Sequence, residues 1–277
     1  MAETGLSQVQ IVLVEPAGPL NVGSIARVMK NMGLQRLVLV NPQCDPLGVE
    51  ARQMAVHAAD VLESATQVAT LPEALVGCQR AIATTGRDRT TLDVTLEPPR
   101  VALPWLLTPT TEARSDAATA ALIFGREDRG LTNEELNYAQ RFIRIPSSVE
   151  YVSLNLAQAV AICCYELFCY IQADSMSLGQ PQRLLTDRSM AAIAPTLIPD
   201  LAPLDHLEGY YQQLEALLLK IGYLYPHTAM SRMEKFRRLF NRASLSTAEV
   251  AMLRGILSQV EWALNQNDLS ETLNSLD

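Results

Sequence analysis

Three polar stretches interrupt the apolar pattern of the first 170 or so residues, and each follows a short β-rich run. The first, EPAGPLNVGSIARVMKNMG, sets Asn21 and Arg27 on either side of a helix start. The second, FGREDRGLTNEEL, packs Arg126, Glu127, Asp128 and Arg129 between Gly125 and Gly130. The third, IPSSVEYVSLNLAQAV, places Ser153 and Asn155 on either side of Leu154, just ahead of a long apolar run. A guanidinium can hold a phosphate or stabilise negative charge developing on an oxygen. Each stretch also has a plain structural reading. Ser153 and Asn155 suit the free N–H groups of a helix start. Thr132 and Glu135 have capping-box spacing, and Arg27 alone could be a solvated side chain. Those readings leave Glu127 without a task.

The elements that would position these residues alternate. QIVLVEP, RLVLVNP, RAIATT, AALIFG and FIRIP read as strands, several ended by Gly or Pro. Between them VGSIARVMKNMG, EARQMAVHAADVL, LPEALVGC and TNEELNYAQ read as helices. A repeated strand–helix order predicts a largely parallel sheet covered on both faces. Sheets of that kind bind ligands beyond the carboxyl ends of their strands, where all three polar stretches fall. EPAGPLNVG lacks the GxGxxG spacing, so an ordinary dinucleotide or Rossmann methyltransferase loop is poorly supported.

A helix beginning near Leu154 is expected to close this unit at about Gln172, giving a first domain over 1–173. Residues 174–203 contain Pro181, Pro195, Pro199 and Pro203 and read as a linker. Over 204–277 a small all-helical domain is expected. Leu207, Tyr211, Leu214, Leu218 and Ile221 form one apolar stripe. Met233, Phe236, Leu239 and Phe240 form a second, and Ser246 with Glu249 a capping box before a third helix. Within 232–242, Arg232, Lys235, Arg237, Arg238 and Arg242 stand against Glu234 alone, a stripe for nucleic-acid phosphates or simply a solvated face.

With 277 residues the chain is long enough for one large domain or two modest ones. Its composition, 48% hydrophobic and 19% charged, is that of a globular protein. The net charge of −8 argues against a nonspecific nucleic-acid binder but leaves room for a local basic face. Gln158 and Glu166 break the run from Leu154, so no membrane span is expected. MAETGLSQVQ has no basic segment followed by an apolar one, so no signal peptide is expected. The five cysteines form no CxxC pair and the three histidines are scattered, which suggests neither a disulfide framework nor a metal site. The expectation is a metal-free cytoplasmic protein.

Taken together, Asn21 with Arg27, GREDRGL and SLNLAQAV resemble the three motifs of the SpoU/TrmH group of SPOUT RNA 2'-O-ribose methyltransferases, over roughly residues 9–172. Within that group VEPAGPLNVGSIARVMKNMGL, TTGRDRT and GREDRGLTNEEL look most like the branch that methylates nucleotide 32 of the tRNA anticodon loop. LLLKIGYL and FRRLFNRASLSTAEVAMLRGIL resemble that branch's C-terminal extension. The resemblance implies a SPOUT-type α/β fold with a trefoil knot, and S-adenosyl-L-methionine as methyl donor. It implies a homodimer whose active site is shared between subunits, with tRNA as substrate and cytidine or uridine as the target. Carried over residue by residue, Arg27, Asn21, Glu127, Ser153 and Asn155 match the family's catalytic set. Thr84, Thr85, Gly86, Phe124, Gly125, Arg126, Ile145, Ser153 and Leu154 match its cofactor-binding loops. A free guanidinium, with a pKa above ~12, is a poor base. Arg27 either becomes basic beside the substrate phosphate or, more economically, orients that phosphate and stabilises developing alkoxide charge.

Two competing readings remain. A ribosomal-RNA 2'-O-methyltransferase of the same family usually carries an N-terminal RNA-binding extension, whereas the first strand here begins near Val9. A non-catalytic RNA-binding factor on this scaffold would have no use for the intact set of Asn21, Arg27, Glu127, Ser153 and Asn155.

Overall fold

The strands QIVLVEP and AALIFG set the centre of the molecule. β1 (Val9–Val14) and β6 (Ala120–Phe124) are buried along their whole length, as strands covered on both faces must be. The structure is a computed structural model and describes residues 5–86, 95–108, 119–177 and 201–274. Around the central pair lie β2 (Arg36–Val40), β3 (Thr66–Val68), β4 (Arg80–Thr84), β5 (Leu96–Glu97) and β7 (Arg141–Ile143). They form a seven-stranded sheet in the order β3-β2-β1-β6-β4-β7-β5, and every described pairing is parallel. The strand order reverses between β1 and β6, where their registers run from Val9 opposite Ala120 to Leu13 opposite Phe124.

The chain separates into two compact units, Met1–Ile198 and Pro199–Asp277. In the first, α1 (Pro19–Asn31) starts on a proline whose missing N–H costs a helix nothing at that position. It buries Val22, Ile25, Ala26 and Met29 along one face. Its Gly23 lies so close to α2 (Val49–Ala55) that a Cβ would sit 2.1 Å from the Ala51 carbonyl oxygen, so only glycine lets the two helices meet. EARQMAVHAADVL is not one helix, as its pattern suggested. Val56, at φ +53°, breaks it, and α3 (Ala59–Glu63) follows. Short helices α4 (Leu71–Ala74), α5 (Pro99–Ala102) and α6 (Asn133–Leu136) complete the connections. The expected box before α6 is present, with Glu135 N donating to Thr132 Oγ1 at 3.2 Å and Thr132 N to Glu135 Oε2 at 2.6 Å.

The long helix α7 spans Leu156–Ser177, beyond the expected end near Gln172. It lays Leu156, Val160, Cys163, Cys164 and Leu167 into the core beneath α1. Against expectation, its window Leu156–Ala173, with a mean hydropathy of 1.4, is long and apolar enough to cross a membrane. Gln158 and Glu166 dilute the run without interrupting it, and the helix contributes to the core the apolar stripe that any buried helix needs. Most of the expected linker (178–200) and the end of TTGRDRT (87–90) lie outside the described residues.

The second unit comprises α8 (Leu204–Lys220), α9 (Pro226–Ala243) and α10 (Thr247–Asn274). Leu207, Tyr210, Tyr211, Leu214 and Leu217 of α8 pack with Met233, Val250 and Leu257. Ile221 falls just past α8 and Leu239 faces outward, so neither belongs to this core as the stripes suggested. Ser246 and Glu249 cap α10, with Glu249 N donating to Ser246 Oγ at 3.3 Å.

The basic stripe is only partly available. Arg237 forms a paired contact with Glu208, Nη1 to Oε2 at 2.5 Å and Nη2 to Oε1 at 2.8 Å. Its guanidinium lies 4.6 Å from the Tyr211 ring centroid. Arg238 reaches Glu234 at 3.4 Å. Arg237→Ala strands a mostly buried carboxylate, so it is expected to destabilise the second unit by about 2–3 kcal/mol. Urea unfolding measures this; an unchanged midpoint would mean that Arg237 is free for another role.

Candidate active site

The loops beyond β4, β6 and β7 and the approach to α7 line one cleft. Thr84, Thr85 and Gly86 come from the end of β4, and Phe124, Gly125, Arg126 and Glu127 from the end of β6. Ile145 follows β7, and Ser153 and Leu154 precede α7. The cavity has a volume of about 200 Å³ and opens partly to solvent. All nine residues matched to cofactor loops therefore share one cavity, joined by Ile143, Val152 and Leu156, which the sequence alone did not single out.

The β6 loop closes on itself. Gly130 N donates to Arg126 O at 2.8 Å, and these residues form an antiparallel bridge. Gly125 sits against the end of this loop, where a Cβ would lie 2.2 Å from both Gly130 C and Leu131 N. The closed loop holds Glu127 beside the start of α1. Its Oε2 accepts from Ala17 N and its Oε1 from Gly18 N, both at 3.0 Å, and Oε1 also accepts from Asn21 Nδ2 at 2.9 Å. Partial burial pushes its pKa upward, but the hydrogen bonds from Ala17, Asn21 and Gly18 outweigh it and hold the carboxyl below its ordinary range. Asn21 Oδ1 in turn accepts from Asn155 Nδ2 at 3.0 Å. Asn155 Oδ1 accepts from Ala157 N at 2.9 Å at the start of α7. Asn155 is thus a helix cap and a link in the line Asn155–Asn21–Glu127 at once.

A second charge cluster anchors the same loop. Arg129 donates to Glu135 at 3.1 Å and to Glu15 at 2.8 Å, which keeps the guanidinium more firmly charged than usual. The bond from Arg129 holds the Glu15 carboxyl low against its partial desolvation, with help from Asn41 Nδ2 at 3.2 Å. Glu15 (φ +50°) and Asn41 (φ +44°) both turn left-handed directly after their strands. Nothing in VEP or VNP announced this, because left-handed backbone at a non-glycine residue has no compositional signal beyond a mild preference for Asn.

Arg27 is placed differently. It is exposed on α1, outside the lining of the cleft, and no hydrogen bond or ion pair to a described residue holds it. Six residues along a helix is a rise of about 9 Å and a rotation of roughly 240°, so Asn21 and Arg27 leave α1 in different directions. One chain therefore brings Asn21, Glu127 and Asn155 together, sets Ser153 in the adjoining cleft, and leaves Arg27 apart from all four.

A family model described as the SpoU rRNA methylase family matches residues 8–165, and one described as the C-terminal domain of the tRNA methyltransferase TrmJ matches residues 205–270. The chain belongs to the SpoU methylase family, in its TrmJ group. It is 40% identical over 257 residues to the tRNA (cytidine/uridine/adenosine-2'-O-)-methyltransferase TrmJ of Pseudomonas aeruginosa, covering 92% of this chain and 95% of that one. The tRNA (cytidine/uridine-2'-O-)-methyltransferase TrmJ of Pectobacterium atrosepticum is 39% identical over 256 residues, covering 92% and 98%. Among solved structures, TrmJ from Z. mobilis ZM4 superposes with a TM-score of 0.74 at 29% identity, over 91% of this chain and 98% of that chain.

Proposed function

We propose that this protein is an S-adenosylmethionine-dependent tRNA 2'-O-ribose methyltransferase acting on cytidine or uridine at nucleotide 32 of the anticodon loop. The observation that carries the reading is the hydrogen-bonded line Asn155–Asn21–Glu127 at the mouth of the cleft. The cleft suits the donor. Leu154 and Ile145 offer apolar flanks for an adenine, and a Cβ at Gly86 would have its nearest neighbour 4.0 Å away, so a ligand can approach the bare backbone there closely. When bound, that donor supplies a methyl group on a sulfonium, already activated for transfer.

The residues of this chain do the rest. Asn21 and Glu127 orient the ribose and fix the start of α1, while Ser153 and Asn155 complete the catalytic set beside the donor cleft. Arg27 holds the adjacent phosphate and stabilises the charge that develops as the 2'-oxygen loses its proton. Its position away from its own cleft supports a homodimer in which each chain lends its arginine to the partner's site. The fold belonging to this reading is the knotted SPOUT form, followed by a linker after α7 and a helical domain that binds tRNA. The same reading places the enzyme in the cytoplasm with its substrate.

Incubation with labelled S-adenosylmethionine and unmodified total RNA, followed by mapping of the 2'-O-methyl position, tests this directly. Label is expected in tRNA at nucleotide 32. Label confined to ribosomal RNA, or none at all, would overturn it.

A further inference from the structure

The helical unit exposes a row of side chains that its own core does not use. On α9, Thr228, Arg232, Lys235, Leu239 and Arg242 recur at spacings of four, three, four and three, which is one face of a helix. The last four are all exposed. With Arg237 and Arg238 engaged by Glu208 and Glu234, the three remaining cations stand in line over roughly 15 Å of helix. Glu234, the acidic residue of the segment, is turned to Arg238 and does not oppose them.

Where α8 turns into α9, this row meets a cluster of exposed rings. Tyr223 is 52% and Tyr225 56% exposed, and His227 is exposed beside them. Gly222, at φ +73°, makes the turn that lifts Tyr223 outward, while Leu224 between the tyrosines is buried and pins the segment. Tyr225 and His227 stack with centroids 5.9 Å apart and planes 24° from parallel. Arg232 joins the rings to the cations: its guanidinium carbon lies 5.6 Å from the Tyr223 ring centroid, and Nη1 donates to the Tyr223 carbonyl at 3.4 Å. What sets these rings apart is that they gather with cations at one turn, a contiguous patch of the kind that meets a partner.

We infer that this face is a track for an unpaired stretch of RNA, with Tyr223, Tyr225 and His227 as a stacking platform for bases and Arg232, Lys235 and Arg242 as its phosphate contacts. Rings beside a linear row of cations match single-stranded nucleic acid, whose bases are free to stack while its backbone follows positive charge. Duplex RNA would use the cations and leave the rings idle. The inference rests on the proposed RNA substrate, and names the surface of the helical unit that meets it and the kind of strand it takes.

The test uses the full chain, a fluorescein-labelled single-stranded pyrimidine oligoribonucleotide, and a duplex of equal length. Tyr223→Leu with Tyr225→Leu is expected to weaken single-strand binding on the order of tenfold per base lost, without changing its salt dependence. Tyr→Phe at both positions keeps the rings and is expected to bind within about twofold of the parent. Arg232→Gln, Lys235→Gln and Arg242→Gln together should reduce the slope of log affinity against log salt by about 2, the effect of three phosphates on a single strand. Because Tyr223 lies 6.5 Å from Phe236, centroid to centroid, Tyr225→Leu alone provides a variant that spares the helical core. Unchanged binding in the Leu variants, or equal loss for strand and duplex, overturns the platform. A fall in oligomer mass in those variants also overturns it, showing that the rings meet a second protein chain. Failure here is separable from failure of the enzyme reading. Oligonucleotide binding as expected without methyl transfer to tRNA removes the activity and keeps the track, whereas tRNA methylation with ring-independent binding does the reverse.

Discussion

Arg27→Ala is expected to lower kcat for RNA methylation by about 10²–10³-fold while leaving cofactor affinity unchanged, the usual effect of removing one group aimed at developing negative charge. Arg27 lines no part of the cleft of its own chain, so the methyl donor should not sense its loss. Leu154→Asp is expected to fail for the opposite reason: it sets a carboxylate against the apolar flank of the cleft and abolishes donor binding, while Arg27 is intact. Mixing the two inactive variants under conditions that exchange subunits then separates the alternatives. If the arginine serves the partner's cleft, each hybrid dimer has one complete site, and an equal, random mixture recovers about a quarter of parental activity. No recovery, with exchange verified by mass, would place Arg27 within its own chain's site.

The second large effect is expected from one methyl group. Gly125→Ala places a Cβ 2.2 Å from Gly130 C and from Leu131 N, both backbone atoms that cannot swing aside. The loop must open, and with it the seat of Glu127 between Ala17, Gly18 and Asn21. Overpacking of this kind costs about 1–3 kcal/mol or more, which for a unit of this size lowers Tm by roughly 3–10 °C. Donor affinity measured by calorimetry is expected to fall at least tenfold. Gly130→Ala is the control. Its φ of +68° disfavours a side chain, but a Cβ there meets nothing within 4 Å, so only the strain of a left-handed residue, about 1 kcal/mol, should appear. Equal effects at both glycines would show that the close approach at Gly125 does not matter.

How much of this could be read from sequence depended on the length of each signal. β1, β2, β4 and β6 announced themselves because each carries an apolar run that a parallel sheet buries on both faces, while β7, only partly buried, was marked by FIRIP and its closing proline. β3 and β5 did not. They are edge strands of three and two residues, Thr66–Val68 and Leu96–Glu97, held by pairing to β2 and β7 and not by any hydrophobic pattern of their own. The break at Val56 was invisible for a related reason: the apolar periodicity of EARQMAVHAADVL continues across a residue whose backbone leaves the helix. At the site, the motifs located the cleft-lining residues through their resemblance to a family. Residue types could not show that Glu127 is fixed by the Ala17 and Gly18 amides, since any residue but proline supplies the same N–H. Which cations of the basic stripe are engaged was not legible, because a sequence cannot tell that Glu208, a helix away, faces Arg237.

The sheet order has a consequence for how the protein comes into being. β1 finds its partner β6 only when residues near Ala120 are made, and Asn155 joins Asn21 across a separation of 134 residues. At ~5–20 residues per second of synthesis, the first strand waits on the order of ten seconds with one edge unpaired. The unit is therefore rich in non-local contacts and should fold slowly for its size. The corner that joins Asn21, Glu127 and Asn155 is among the last parts to close, because it is where the earliest and latest segments of the unit meet. A nascent chain cut between β7 and residue 153 holds every described strand yet lacks Asn155 and the wall built by Ser153 and Leu154, so its cleft is incomplete. A complete cleft thus marks completion of the unit, and any ligand that binds only this finished state draws the late-folding segments into it by mass action.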